Sequence, residues 1–237
     1  MNITIVGHGK MGKAIERKAL SDNHSIIGIV TSTTPLSTRR DWYRASDLAI
    51  EFSSPESAFE NLKEIVECGT SVVTGTTGWL DRYDEIVNLV HKKKTGFLYA
   101  SNFSIGVNIF FALNRKLASI MNNFDDFEPS IHEIHHVHKK DAPSGTAISI
   151  AKDLIKHVDT KSSWSMDAND ASSLHIKSTR EGEVFGIHEV KYLSKVDQIT
   201  IAHEARSREG FVEGALFAAK WMIDRVGVYS MEDILGL

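Results

Sequence analysis

Asn2-Ile3-Thr4-Ile5-Val6-Gly7-His8-Gly9-Lys10-Met11-Gly12 opens the chain, and its reading decides the fold. Residues 2–6 alternate and then turn apolar, the pattern of a strand entering a core. Met11, Ile15 and Ala19 then recur at helical spacing, with Ala14 on the same face. Strand, glycine turn and helix form the context in which G-x-G-x-x-G acts as a dinucleotide fingerprint. Gly7 permits the tight turn, Gly9 lets backbone approach a pyrophosphate, and Gly12 lets helix and strand pack closely. His8, Lys10 and Met11 complete this candidate cofactor-binding turn, and Lys10 sets a positive charge near the phosphates.

Working outward, Ser25–Val30 reads as a second strand. An NAD-preferring unit places Asp or Glu at its end, about 20 residues past the glycines, for the ribose hydroxyls. Here Thr31-Ser32-Thr33-Thr34 stands instead, followed by Arg39 and Arg40. Hydroxyls and a guanidinium can accept a 2′-phosphate, so Thr31 joins the cofactor set, and the expected cofactors are NADPH, or both NADPH and NADH. Asp47–Phe52 reads as the third strand. Ser54-Pro55-Glu56 starts a helix with a serine cap, a proline at its first position and an acid in its first turn. Ala58, Phe59, Leu62, Ile65 and Val66 form its buried face, and Gly69 ends it. Ser71–Thr74 is a strand that runs into Gly75-Thr76-Thr77-Gly78. A helix carries Tyr83, Ile86, Val87 and Val90 on one face, and strand Phe97–Ala100 leads into Ser101-Asn102-Phe103-Ser104. This alternation predicts a doubly wound parallel sheet of Rossmann type.

Gly106–Met121 is an apolar helix that leaves this unit. It is followed by Ser130-Ile131-His132-Glu133-Ile134-His135-His136-Val137-His138-Lys139-Lys140-Asp141-Ala142-Pro143-Ser144-Gly145-Thr146-Ala147. Histidine exchanges protons near neutral pH. Lysine offers a fixed cation, and Ser-Gly-Thr at a helix start presents unpaired N–H groups to an anion. Together they point to a small acidic substrate. The string His132-Glu133-x-x-His136 also spells the zinc-protease pattern, which needs a regular helix to bring both histidines to one metal. Flanking Pro129 and Pro143 and the β-branched content favour strand and loop, where the two histidines stand about 13 Å apart. A zinc metallohydrolase is therefore an alternative, as is a non-catalytic dinucleotide sensor, and no metal site is expected.

The run from Glu133 to Thr146 resembles the signature of the 4-hydroxy-tetrahydrodipicolinate (dihydrodipicolinate) reductase family of the diaminopimelate–lysine pathway. Glu133, His135, His136, Lys139, Asp141 and Ala142–Thr146 carry the match. Gly-Thr-Thr-Gly at 75–78, Ala100-Ser101-Asn102-Phe103-Ser104 and Ser178, Arg180, Gly182, Gly186 and His188 also resemble family motifs. The glycine turn has Lys10 where the family usually has arginine. The resemblance implies that Gly75, Thr76 and Thr77 lie beside the nicotinamide ribose and that Ala100, Ser101, Asn102 and Phe103 close over the nicotinamide. It implies reduction of 4-hydroxy-tetrahydrodipicolinate, by way of dihydrodipicolinate, to tetrahydrodipicolinate, with hydride from the nicotinamide C4. His135 and Lys139 are then catalytic: one of them delivers the proton, with His135 assigned as donor and Lys139 holding the imine end. His136, Lys139, Ser144, Gly145 and Thr146 bind the substrate carboxylates. Arg208 aligns with a family arginine near the active site. The implied architecture is an α/β dinucleotide-binding domain (1–103 and 207–237) with a smaller α+β mixed-sheet domain (104–206) for substrate and tetramerisation, and a C-terminal helix returning to the first. That helix reads as Glu209–Val226. Val184–Ser194 and Asp197–His203 read as paired strands, and 158–175 as loop.

Composition agrees. The chain has 237 residues, 42% hydrophobic and 24% charged, in the range of globular proteins. A net charge of −4 argues against nucleic acid or anionic membrane as partner. The single cysteine, Cys68, cannot form an internal disulfide, and with no signal-peptide pattern the expected location is the cytoplasm.

Overall fold

The computed structural model describes residues 1–167 and 170–237, in two compact units: 1–105 with 209–237, and 106–208. In the first unit, strands β1 (Asn2–Val6), β2 (Ser25–Val30), β3 (Leu48–Glu51), β4 (Ser71–Thr74) and β5 (Gly96–Tyr99) alternate with helices α1 (Lys10–Ser21), α2 (Leu36–Ala45), α3 (Pro55–Glu67) and α4 (Tyr83–Lys93). A late strand, which in chain order is β11 (Gly227–Tyr229), completes a parallel sheet of order β11-β5-β4-β3-β1-β2. Strand side chains alternate between two cores. Ile3, Ile5, Leu48, Ile50, Val73 and Leu98 pack with α1 and with α7 (Glu209–Met222). Val6, Ala49, Val72 and Phe97 pack with α2, α3 and α4 on the other face. This is the two-sided burial that parallel strands require.

The second unit holds α5 (Ile105–Met121), β6 (Glu128–His135), α6 (Gly145–His157), β7 (Ser163–Ser165), β8 (Ser173–Arg180), β9 (Ile187–Leu193) and β10 (Gln198–Glu204). Its mixed sheet runs β10-β9-β6-β8-β7, with β6–β9 and β9–β10 antiparallel and β6–β8 and β7–β8 parallel. Phe110, Ala118, Met121, Ala147, Ile150, Ala151 and Leu154 from α5 and α6 cover one face through Ile131, Leu174, Ile176, Val190 and Tyr192. The fold class is as expected, with five local corrections. Residues 36–45, read without structure, form α2; its only buried residue is Tyr43, too little to leave a helical stripe. The 158–175 stretch, read as loop, contains β7 and the start of β8, strands defined by each other's backbone rather than by their own pattern. The strand expected from Val184 starts at Ile187, past Gly186. The final helix ends at Met222, not Val226, because Asp224 takes φ +60° and Gly227 φ +131°; β11 and the short α8 (Met231–Leu235) follow. Ser54 stands at the N-cap of α3, but its hydroxyl meets the Ser57 hydroxyl at 3.1 Å rather than a backbone N–H. Among the described residues, no helix is long and apolar enough to cross a membrane.

Candidate active site

The predicted cofactor residues of the first unit all fall at one edge of its sheet, past the carboxyl ends of parallel strands, where open α/β folds bind ligands. Gly7 follows β1 with φ +90°, and a Cβ there would lie 2.2 Å from the Phe52 carbonyl oxygen. A Cβ on Gly12 would lie 2.0 Å from the Gly7 oxygen, whereas a Cβ on Gly9 meets nothing within 4 Å. So two glycines permit close packing, and the middle one leaves open space over the start of α1. The first α1 amides have no carbonyl partner one turn back, and the first turn carries no acidic side chain. His8 is turned to Glu16, 2.8 Å away. Behind the turn lies a cleft of about 130 Å³ whose lining includes Gly7, Thr31, Ser32, Arg39, Ser53 and Asn61. Arg39 donates to the Thr34 and Thr31 carbonyls at 2.8 and 3.1 Å, with Glu64 at 3.8 Å. These donors and the open glycine fit a dinucleotide.

Gly75, Thr76 and Thr77 follow β4, and Ala100, Ser101, Asn102 and Phe103 follow β5. The Thr76 carbonyl accepts from the Trp79 indole at 2.7 Å, and the Asn102 side chain accepts from the Ser104 N–H at 2.9 Å. Phe103 is 2% exposed and its ring lies 5.6 Å from that of Phe52. Its side chain is core, and its carbonyl packs against Gly214 of α7.

In the second unit, alternation along β6 decides everything. Pro129, Ile131, Glu133 and His135 point to the helix-covered face, and Ser130, His132 and Ile134 point away. His132 and Glu133 therefore project from opposite faces of a strand. His132 meets the Thr179 hydroxyl at 2.9 Å, and the helix needed for the zinc-protease reading is absent there.

Glu133 is fully buried and ties the cluster together. Its Oε2 is ion-paired with His135 Nδ1. Its Oε1 accepts from Arg180 at 2.9 Å and from the Ser144 N–H at 3.3 Å. Burial pushes its acidity down, but hydrogen bonds from His135, Ser178 and Arg180 outweigh that and hold its pKa at about 2. Arg180 also donates to the carbonyls of Lys139 (3.3 Å) and Asp141 (2.6 Å), pinning the loop that carries the lysine. Lys139 lies 2.8 Å from both Asp141 carboxylate oxygens. Ser144 caps α6 by accepting from the Ala147 N–H at 3.2 Å, and its hydroxyl lies 3.1 Å from His188 Nε2. That hydroxyl, expected on the substrate, is turned inward; the Gly145 and Thr146 amides are the unpaired donors at the helix start. His136 is half-buried with Nδ1 unpartnered, and His138 is exposed near Glu183.

Arg180 and His188 received no role from sequence, although both sit in a motif. The signal that would have found them is register: Glu133 pairs with Ser178 on β8 and with His188 on β9, and His135 with Arg180. Burial and the nearby His135 hold His188 down at about 3, so it is neutral. A Cβ on Gly186 would sit 3.0 Å from His135 Nε2, so only glycine keeps that side of the ring clear. Glu133, His135 and His188 bring potential ligand atoms within 4.8 Å of one another. However, the carboxylate is already committed to Arg180 and His135, and the guanidinium at 2.9 Å opposes a further cation.

Comparison with known proteins places these features in a lineage. A family pattern described as dihydrodipicolinate reductase, N-terminus, matches residues 1–103, and one described as dihydrodipicolinate reductase, C-terminus, matches residues 106–235. The chain is 40% identical over 235 residues to the 4-hydroxy-tetrahydrodipicolinate reductase of Christiangramia forsetii, covering 99% of this chain and 98% of the relative. It is 35% identical over 238 residues to the enzyme of that name from Rickettsia bellii, covering 98% and 94%. A dipicolinate-bound dihydrodipicolinate reductase from Paenisporosarcina sp. TG-14 shares its fold, with a TM-score of 0.78 at 20% identity over 97% of each chain.

Proposed function

Because the chain belongs to the dihydrodipicolinate reductase family, we propose that His135 and Lys139 carry its chemistry and that the start of α6 holds its substrate. The reaction is the nicotinamide-dependent reduction of 4-hydroxy-tetrahydrodipicolinate, by way of dihydrodipicolinate, in the diaminopimelate route to lysine. A ring bearing two carboxylates needs cations and N–H donors. The Gly145 and Thr146 amides, the Thr146 hydroxyl, Lys139 and His136 supply them, with Lys139 exchanging Asp141 for substrate. Bound reduced nicotinamide supplies the hydride. As one carbon of the conjugated imine is reduced, charge builds at the neighbouring atom and a proton must follow. His135 gives that proton from Nε2, since Nδ1 is held by Glu133, and Lys139 steadies the imine end.

The carrying observation is the Glu133–His135 pair, locked by Arg180 beside the Gly145 and Thr146 amides at the start of α6. Neither the metallohydrolase nor the dinucleotide-sensor alternative accounts for it. His135→Gln or Lys139→Met should cut kcat by roughly two orders or more while dinucleotide binding survives. Ordinary turnover in folded variants refutes the assignment.

Gly7–Gly12, Thr31, Gly75–Thr77 and Ala100–Phe103 form the dinucleotide site in this reading, which gives residues 1–103 and 207–237 to the cofactor and 104–206 to substrate and tetramerisation. Both NADPH and NADH serve, with NADPH preferred. Support comes from Thr31–Thr34 in place of a carboxylate and from Arg39 on the cleft. The reading further places the protein in the cytoplasm as a homotetramer with no nucleic-acid or membrane partner. Exposed Leu193, Val196 and Ile199 on the β9–β10 hairpin, at a sheet edge, support association.

A further inference from the structure

Resting on the dinucleotide reading, we propose that Glu51 is a positioning residue for cofactor binding: its buried carboxylate sets the loop that lines the nucleotide cleft. Glu51 ends β3 between Val6 of β1 and Thr74 of β4 and is 0% exposed. A parallel strand buried on both faces normally carries an apolar side chain at such a position. No Lys, Arg or His pairs with it among the described residues, so hydrogen bonds alone compensate its burial.

Those bonds all lead to the ligand edge. Oε1 accepts from the Ser53 N–H at 2.9 Å, from the Thr76 hydroxyl at 3.0 Å and from the Ser53 hydroxyl. Oε2 accepts from the Thr74 hydroxyl at 2.5 Å. A carboxylate only accepts, so three hydroxyl protons must point at Glu51, which fixes the direction of the network beyond it. The Ser53 oxygen then receives Asn61 Nδ2 and the Ser57 hydroxyl, each at 3.1 Å. Thr76 Oγ1 receives the Ser53 N–H at 2.9 Å. Ser53, Ser57 and Asn61 line the cleft shared with Gly7, Thr31 and Arg39. Thr76 heads the loop after β4. Glu51 itself does not line that cleft, so it acts through these side chains.

The test uses the full-length protein and direct titration with NADPH and NADH. Glu51→Met, similar in length but without an acceptor, should weaken NADPH binding about tenfold, the size of one lost charge-assisted hydrogen bond. The substrate KM should stay within about twofold. Glu51→Gln keeps the oxygen facing Ser53 and Thr76 and needs only the Thr74 hydroxyl to turn, so it should restore binding to within about threefold of wild type. If Glu51→Met does not fold, the isosteric Thr74→Val releases one side of the carboxylate and should weaken NADPH about threefold. A folded Glu51→Met or Thr74→Val that binds NADPH as wild type does, with only its melting temperature lowered, overturns the proposal and leaves a structural stitch. A wild-type protein that binds neither dinucleotide overturns the reading beneath it as well.

Discussion

His188 is buried, 5% exposed, against the active-site cluster. Its ring lies 5.1 Å from that of His135 and faces Glu133, Lys139 and His203, and burial holds it neutral to about pH 3 against an ordinary value of 6.5. Between those values the unfolded chain takes up a proton that the folded chain refuses, so stability falls as the pH drops. Each unit in that window costs on the order of 1 kcal/mol. Glu133 acts in the same direction but lower, from its ordinary 4.5 down to about 2. The interval from pH 6.5 to 4.5 lies above the Glu133 window; burial also lowers His203 and His24 there, so the difference between wild type and a His188 variant isolates this residue. His188→Gln should flatten the decline of melting temperature over that interval relative to wild type, at some cost in stability at neutral pH. Parallel curves for the two proteins would show that His188 is not held neutral by the fold. The same residue marks where sequence reading stops. Glu133, His135 and Lys139 were legible because a short contiguous motif carries them. Arg180 and His188 reach Glu133 only through strand register with β8 and β9, which no local pattern encodes.

Elements were legible where their signals are local. α1 follows its glycine turn and α3 its Ser54-Pro55-Glu56 opening, each with a clear apolar stripe. β7 and β11 have three residues apiece, too few for a period, and exist because β8 and β5 offer them a backbone edge. α7 holds a case where propensity and packing oppose each other. Gly214 lies inside this helix, where alanine would ordinarily gain about 1 kcal/mol. A Cβ there would come 1.8 Å from the Phe103 carbonyl oxygen, so the helix must move off the loop that follows β5. Gly214→Ala should therefore destabilise by roughly 2 kcal/mol, in the range of overpacked cores. A denaturation midpoint equal to or above wild type would contradict that contact.

At the scale of the molecule, the proposed function divides the chemistry between the two units. The first supplies a parallel-sheet edge with an open glycine, a hydroxyl-lined cleft and an arginine. The second supplies a strand end whose buried carboxylate is shared between an imidazole and a guanidinium, beside the Gly145 and Thr146 amides at a helix start. Arg39 is the residue on which cofactor choice depends in this account. Arg39→Ala should raise the KM for NADPH about tenfold while that for NADH changes far less. The most direct measurement is the rate at which purified protein oxidises NADPH and NADH when given the cyclic imine dicarboxylate produced by the preceding condensation step. The account predicts oxidation that depends on that substrate, faster with NADPH at low cofactor, and lost in His135→Gln. No oxidation of either nucleotide in the presence of the imine, from a folded protein, would contradict it.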